Sequence, residues 1–197
     1  MKKKLLFLVI ILLSMGTTAS AHDFEVANAD GVTIYYLKES DTEVAVSCRG
    51  EYYSSYSNEY AGNVVIPESV TYNGVTYSVT VIAFTAFRYC SGLTSVTIPN
   101  SVTTIGECAF EYCRGLTSIT FPNSVTSIGG FAFDGTAWYN NQPNGLVYAG
   151  KVAYKYKGEM PDNTNITIAE GTLGIAYHAF QGCNGLTSIT ISNGVTS

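Results

Sequence analysis

Apolar and polar residues alternate over short stretches in the second half of the chain. In Leu93–Ile98 the apolar residues fall at the first, fourth and sixth positions, so an extended backbone turns Ser95 and Thr97 towards solvent. Pro99 follows directly, and a residue without an amide hydrogen ends a strand. The pattern therefore predicts a short β-strand with one buried face.

A different pattern precedes the next such strand. In Ala109–Cys113 the apolar side chains are three and four residues apart, which places them on one face of a single helical turn. Gly92, Gly115 and Gly185 follow at positions where a turn that closes in the left-handed region favours glycine. The chain is therefore predicted to coil as strand, turn, short helix and turn.

These coils repeat with a period of 23 residues. Residues 81–103 and 104–126 match over their whole length, a third copy begins at Ser127 and diverges, and a fourth starts at Leu173. Coils stacked in parallel register about 4.8 Å apart bury a continuous core, which no single coil can do. The stack would align three aromatic side chains in one column: Phe87, Phe110 and Phe133.

The repeated unit, I-x-x-x-A-F-x-x-C-x-x-L-T-S-V/I-T-I/F-P-x-S-V-T, resembles the BspA-like, or Treponema-type, leucine-rich repeat family of bacterial surface proteins. The resemblance covers residues 81–197. It implies an α/β leucine-rich repeat solenoid, a right-handed β-α superhelix of 23-residue repeats. It also implies secretion or surface display and binding to host or other bacterial proteins. Residues 135–158 resemble a variant unit that such proteins carry between ordinary repeats.

The N-terminus has the pattern of an export signal. Three lysines at Lys2–Lys4 precede an apolar run over Leu5–Leu13, and Ala19–Ala21 supplies small residues for cleavage. That run is less than half of the roughly 20 residues needed to cross a bilayer. We therefore expect residues 1–21 to be removed, which leaves a mature chain without a transmembrane segment. The expected location is secreted or on the outer cell surface.

Residues 22–80 are predicted to form an N-terminal β cap. Val32–Leu37 and Glu43–Cys48 are rich in apolar and β-branched residues, which favours a hairpin. Asn73-Gly74 between β-forming residues predicts a second hairpin, because both central residues of that turn need positive φ. Such a cap would cover the strand edge and the apolar core of the first coil. The solenoid is then predicted over residues 81–197.

An altered unit interrupts the repeats at about residues 135–164. Residues 146–157 alternate in a way that predicts a hairpin projecting from the stack. Aromatic residues with polar tips favour binding sites because they bury much area at small entropic cost. The rings here either bind a ligand or pack against the coil that the insert replaces. They are Trp138, Tyr139, Tyr148, Tyr154 and Tyr156.

The outward positions of the predicted strands form a polar ladder. Its side chains either face solvent as ordinary β-formers or provide the floor of a binding surface. Neither interpretation requires special chemistry. The ladder comprises Ser95, Thr97, Ser118, Thr120, Ser188 and Thr190.

Charge argues against nucleic acid as a partner. Without Lys2–Lys4 the ten basic residues become seven, against fifteen acidic ones, and the mature chain carries a net charge of −8. Binding to phosphates needs clustered lysine and arginine, and here they are few and scattered.

The last repeat unit is incomplete at the C-terminus. Ser197 occupies the position of the repeat that directly precedes the conserved-register isoleucine of the next unit. We therefore expect a fragment or a covered last coil.

The sequence provides little for catalysis, and we expect no enzymatic activity, cofactor or metal. Of the two histidines, His22 is the predicted mature N-terminus, so only His178 remains as a catalytic base. It has the same repeat position as Cys108 but lies two or three coils away. That spacing is roughly 10–14 Å at 4.8 Å per coil, whereas a nucleophile and its base require contact. Cys90, Cys113 and Cys183 share another register, where buried thiols are favoured over disulfides.

These patterns predict a secreted or surface-displayed, non-catalytic repeat protein that binds other proteins. The family resemblance suggests adhesion, with a host extracellular-matrix protein as the partner. Two alternatives stay open at this point, along with the oligomeric state. One is a structural spacer without a ligand of its own. The other is binding of surface glycans, with Trp138 and the neighbouring tyrosines stacking on sugar rings.

Overall fold

The computed structural model describes residues 21–50 and 59–196, so most of the predicted export signal lies outside the described residues. The secondary structure is dominated by short strands joined by turns. Its elements are β1 (Phe24–Ala27), β2 (Thr33–Lys38), β3 (Glu43–Ser47), β4 (Gly62–Val65), β5 (Ser69–Tyr72), β6 (Val75–Ile82), β7 (Leu93–Thr97), β8 (Thr104–Ile105), β9 (Ser118–Thr120), β10 (Ser127–Ile128), α1 (Ala137–Asn140), β11 (Gly145–Ala149), β12 (Val152–Lys157), β13 (Thr164–Thr167), β14 (Gly174–Ile175) and β15 (Leu186–Thr190).

The first strands form antiparallel pairs before the repeats begin. Strand β1 pairs with β2, and β2 pairs with β3, which confirms the first predicted hairpin. Strand β5 pairs with β6 across the turn at Asn73 and Gly74. The φ angles of these two residues are 49° and 80°, as expected for the second predicted hairpin. Strand β3 then runs parallel to β6, which joins these strands to the coils.

The repeats stack through two sets of parallel strands. On one side β6 pairs with β8 and β8 with β10, so Ile82 lies opposite Ile105, and Ile105 opposite Ile128. On another side β4, β7 and β9 run parallel, with Val96 opposite Ile119. Strands β13 and β15 repeat the second arrangement further along the chain. The 23-residue period is therefore one coil of a stack.

The core contains the predicted aromatic column. The ring centroids of Phe87 and Phe110 are 4.7 Å apart and those of Phe110 and Phe133 5.5 Å apart, with nearly parallel planes. Tyr60 extends the column before Phe87, and Tyr154 contacts Phe133 edge-on after it. These rings are buried, so the coils that carry them cover each other's apolar interior.

The predicted short helix in each coil is wrong. Among the residues described, α-helix occurs only in α1, and Ala109–Cys113 lies in a turn instead. Cys108 and Tyr112 have positive φ, and the amides of Phe110 and Tyr112 donate to Ala132 and Asp134 of the next coil. Donation to a neighbouring coil replaces the bonds four residues back that a helix requires.

The interpretation of the turn glycines is also corrected. Gly115 and Gly185 do not have the positive φ that was expected of them. A Cβ atom on Gly115 would lie 2.4 Å from the Ser91 carbonyl oxygen, and one on Gly185 would lie 2.2 Å from that of Pro161. Glycine is required there because the coils approach each other closely.

The altered unit contains the predicted hairpin, but the hairpin does not project from the stack. Strands β11 and β12 pair antiparallel, and β12 also pairs in parallel with β14 of the following coil. Val147, Val152 and Tyr154 are buried in the core. The insert therefore provides a coil of the stack, because its apolar face needs the same cover as that of any other coil.

Candidate interaction surfaces

The polar ladder lies on the outer face of the second set of strands. Ser95 is opposite Ser118 and Thr97 opposite Thr120, while Ser188 and Thr190 lie on the separate pair β13–β15. The ladder residues of β9 and β15 are exposed, and the ladder residues of β7 are half-buried. The ladder is therefore divided into two patches by the altered unit.

Asparagines of the preceding coil hydrogen-bond to both patches. The Ser95 hydroxyl donates to Asn63 Oδ1 at 2.5 Å, and the Ser188 hydroxyl donates to Asn165 Oδ1 at 2.5 Å. The remaining hydroxyls offer donors and acceptors along a flat surface. Such a surface suits an extended partner better than a small molecule, which needs a concave pocket.

Two of the five aromatic residues of the altered unit are not available to a ligand. Tyr154 is 1% exposed and Tyr139 is 9% exposed. The Tyr154 hydroxyl accepts a bond from the Phe133 amide and donates to Asp134 Oδ1, both at 2.9 Å. Burial, together with the nearby Asp134 carboxylate, raises the pKa of Tyr139 to about 12. Both rings are part of the core.

The other three aromatic residues are half-buried. Trp138 packs against Phe121 and Phe133, with ring centroids 5.3 and 5.2 Å away. The Tyr148 hydroxyl accepts a bond from the Ala169 amide at 2.9 Å. These contacts are structural.

Lysines of β12 bind oxygen atoms within the altered unit. Lys155 Nζ contacts Asp134 Oδ2 at 2.5 Å, and Lys157 Nζ donates to the carbonyl oxygens of Tyr139 and Asn140 at 3.2 and 2.6 Å. A third bond from Lys157 goes to the Gln142 carbonyl. The ammonium group thus lies at the C-terminal end of α1, where it complements the helix dipole.

Exposed aromatic residues on the turn side of the coils were not predicted from the sequence. Phe84 is 58% exposed, Tyr177 68% and Tyr112 37%. Phe84 and Tyr177 share a register with Glu107 and Gly130. An aromatic residue where other copies have glutamate or glycine was the signal available in the repeat alignment.

The thiols and His178 do not form a reactive pair. Phe131 lies between the coils of Cys108 and His178, with its ring centroid 5.2 Å from that of His178. Burial, with a smaller contribution from Glu111, raises the pKa of Cys108 to about 11. Cys113 donates its S–H to the Phe87 carbonyl at 2.8 Å, and burial raises its pKa as well. Cys108 and Cys113 are free thiols, and both are protonated at neutral pH.

Within residues 21–50 and 59–196, no group of three or more His, Cys, Asp or Glu side chains is arranged to hold a metal ion. In the same residues, no helix combines the length and hydrophobicity needed to cross a membrane.

Parallel coils of 23 residues around an aromatic column define a leucine-rich repeat protein. The family model described as the BspA type leucine rich repeat region matches residues 52–157 and 80–197, with six copies of the repeat. The chain belongs to this family. The matched region begins before residue 81 and includes β4, which pairs in parallel with β7.

Solved structures of bacterial leucine-rich repeat proteins are similar to this chain. A leucine-rich repeat protein from Bacteroides ovatus is 33% identical over 80% of this chain and 39% of its own, with a TM-score of 0.49. A leucine rich cell surface protein from Faecalibacterium prausnitzii is 23% identical over 88% of this chain and 45% of its own, with a TM-score of 0.52. The chain spans less than half the length of both. No curated protein matches it.

Proposed function

We propose that this protein is exported and binds other proteins through the outer face of its stacked strands, as an adhesive module without catalytic activity. The observation that carries the proposal is the flat hydroxyl surface of β9 and β15, where Ser118, Thr120, Ser188 and Thr190 are exposed. Membership of a repeat family supports it, because stacked repeats provide extended binding surfaces. The partner class is a host extracellular-matrix protein or another bacterial surface protein.

The finer architecture belongs to the same proposal. Residues 22–80 act as a cap, and residues 81–197 wind as a right-handed solenoid. The antiparallel strands β1 and β2 support the capping role, because they lie at the end of the sheet that β6, β8 and β10 continue. Residues 1–21 direct export and are removed. The name of the Faecalibacterium prausnitzii protein, a cell surface protein, agrees with this location.

The test starts from the exported protein purified after expression of the full sequence. It is immobilised and exposed to extracellular-matrix and mucosal extracts, and each captured protein is then purified and titrated against it. The matched variants are Ser118→Arg with Thr120→Arg on β9, and Lys151→Glu at an exposed turn as the control. We expect the β9 variant to weaken binding at least tenfold and the control to leave it unchanged.

The same experiment separates adhesion from the spacer role. A folded protein that binds no matrix or mucosal component would favour a spacer. Binding that both the β9 variant and the corresponding β15 variant, Ser188→Arg with Thr190→Arg, leave intact would place the partner on another surface. Glycan binding would depend on the half-buried residues Trp138, Tyr148 and Tyr156, because Tyr139 and Tyr154 are buried.

A further inference from the structure

The two ends of the stack bury equivalent residues to different extents. Val64 lies in β4 and Ile66 directly after it, and these residues are 0% and 2% exposed. The equivalent residues at the other end are Ile189, in β15, and Ile191, directly after β15, which are 37% and 57% exposed. The apolar interior is therefore covered at the first end and open at the second.

The outer edge of β15 has no partner strand. Within the described residues, β15 pairs with β13 alone. The Thr190 carbonyl accepts a bond from the Ile168 amide, so the backbone groups of Ile189 point to the opposite edge. In an inner coil, the groups at that edge bond to the next coil, as the Ile98 amide does to the Thr120 carbonyl at 3.2 Å. Such an edge is a template for pairing with another strand.

The last coil lacks the residues that protect exposed edges. Native proteins blunt an edge strand with charged residues or with proline. Ser192 stands where Pro99 and Pro122 directly follow the earlier strands. The segment 171–197 contains no Lys, Arg, Asp or Glu, and all fifteen acidic residues of the chain precede it. This end therefore carries no charge that would repel a second copy of the same end.

A second copy fits the open end better through its own last coil than through its first. At the first end Val64 and Ile66 are buried, and the Asn28 side-chain amide donates to the Val65 carbonyl at 2.9 Å. A head-to-tail contact would thus place the exposed isoleucines against a covered end. A twofold axis instead joins two identical apolar ends and closes after two copies. One coil of 23 residues also provides the roughly 20–30 residues a side of a stable interface.

Alternation along β15 selects the register of the pair. Directly opposite residues of antiparallel strands lie on the same face of the sheet. With Ile189 on the twofold axis, its side chain meets its own copy on the core face. Ser188 then lies opposite Thr190 of the second copy on the solvent face. A slip by one residue would set isoleucine against serine.

We infer that two copies of this protein associate at their last coils, through antiparallel pairing of β15 with Ile189 on the twofold axis. This association does not depend on the adhesive role proposed above, because it uses the edge and the core face of β15 rather than the outward hydroxyl groups. It is measured on the protein without any ligand. Either proposal can therefore fail while the other stands.

The first experiment measures the mass of the exported protein by size-exclusion chromatography with light scattering, from micromolar to near-millimolar concentration. The wild-type protein should reach the mass of two copies. Ile191→Lys places a charge on each apolar end and should raise the dissociation constant of the dimer at least tenfold. Phe84→Lys is the matched control, since Phe84 is 58% exposed but lies in the first coils, and should change the constant less than twofold. Circular dichroism checks that both variants are folded.

The second experiment tests the register. Ser188→Cys and Thr190→Cys are purified separately, mixed and oxidised. In the proposed register the Cα atoms of Cys-substituted positions 188 and 190 of the two copies are about 4.5 Å apart, which allows a disulfide. The mixture should therefore form a covalent dimer on a non-reducing gel. The wild-type protein and each variant alone, which have no such pair, are the controls.

Four results would overturn this association. The protein could stay monomeric at every concentration, or it could form species larger than two copies, as head-to-tail contacts would. Ile191→Lys could dimerise as strongly as the wild-type protein. The mixed cysteine variants could form no more covalent dimer than the controls. Because Ile191 is already 57% exposed, a lysine there leaves no buried charge in the monomer, and loss of the dimer is not a consequence of unfolding.

Discussion

The regular coils and the altered unit belong to one stack but are held together differently. In the regular coils, main-chain bonds repeat along the turns, from Phe87 N to the Ala109 carbonyl at 2.7 Å and from Phe110 N to the Ala132 carbonyl at 2.8 Å. In the altered unit, the side chains of Tyr154 and Lys157 bind backbone groups at several positions. The altered unit also has main-chain bonds to the next coil, such as Tyr156 N to the Ala179 carbonyl at 2.8 Å, and it adds several bonds from particular polar side chains.

This difference explains how a repeat protein tolerates an irregular unit. Main-chain bonding makes no demand on surface side chains, so regular coils need only apolar core positions and glycine at close contacts such as Gly115. The altered unit keeps main-chain bonds to the following coil, and polar side chains of the insert bind further backbone groups. Buried polar groups without partners are costly, and these side chains provide partners.

The largest expected effect is in the core of the regular coils. Phe110→Ala removes the central ring of the column and should lower the free energy of unfolding by about 3–5 kcal/mol. Urea denaturation followed by circular dichroism measures this. Phe121→Ala is the matched control, since Phe121 is half-buried and should lose less. Equal losses in the two variants would contradict a continuous column.

The next effect tests the altered unit. Tyr154→Phe keeps the ring but leaves the buried Phe133 amide without its acceptor and removes the bond to Asp134 Oδ1, at a cost of about 1–3 kcal/mol. Tyr148→Phe is the control, because its partner, the Ala169 amide, belongs to an exposed residue that water can reach. Equal urea midpoints for Tyr154→Phe and Tyr148→Phe would contradict this prediction.

A smaller effect is expected at the end of α1. Lys157→Met keeps the apolar stem but removes three bonds to carbonyl oxygens and the favourable charge at the helix end, which should cost about 1 kcal/mol. Lys151→Met, at an exposed turn, should leave stability unchanged. Thermal unfolding of both variants gives the difference. If Lys157→Met leaves the melting temperature unchanged, water hydrogen-bonds to the three carbonyl oxygens in place of the ammonium group.

The smallest effect appears only in alkali. The pKa of Tyr139 is raised to about 12 from its ordinary value of 10, so between pH 10 and 12 the unfolded chain loses a proton that the folded chain keeps. The contribution of Tyr139 to the free energy of unfolding is therefore fully present below pH 10 and is lost as the pH rises from 10 to 12. Urea midpoints at pH 8, 10 and 11 should decline, and less so in Tyr139→Phe. An identical decline in the variant would exclude Tyr139 as a source.

The repeat pattern was sufficient to predict the stack but not the conformation of its turns. Phe87, Phe110 and Phe133 could be aligned from their spacing, because stacked copies place equivalent residues side by side. The helical spacing of Ala109–Cys113 was misleading, since the amides of this segment bond to the next coil. Local spacing carries no information about a partner that lies one repeat away.

The candidate surfaces were also predicted only in part from the sequence. The outward positions of Ser118 and Thr120 follow from alternation along a strand, and the structure exposes both. Tyr139 and Tyr154 looked equally suited to binding, yet they are buried, because the insert replaces a coil and needs an apolar face of its own. How far Ile191 is exposed was visible only in the structure.

By itself the amino-acid sequence determined the period, the strands, the hairpins and the aromatic column of this protein. These features depend on side-chain patterns within one coil and on the equivalence of successive coils. The tertiary structure decided which turns bond to neighbouring coils, which glycines allow close approach and which aromatic rings remain exposed. Those outcomes depend on distances between coils, and residues that are neighbours in adjacent coils are about 23 positions apart in the chain.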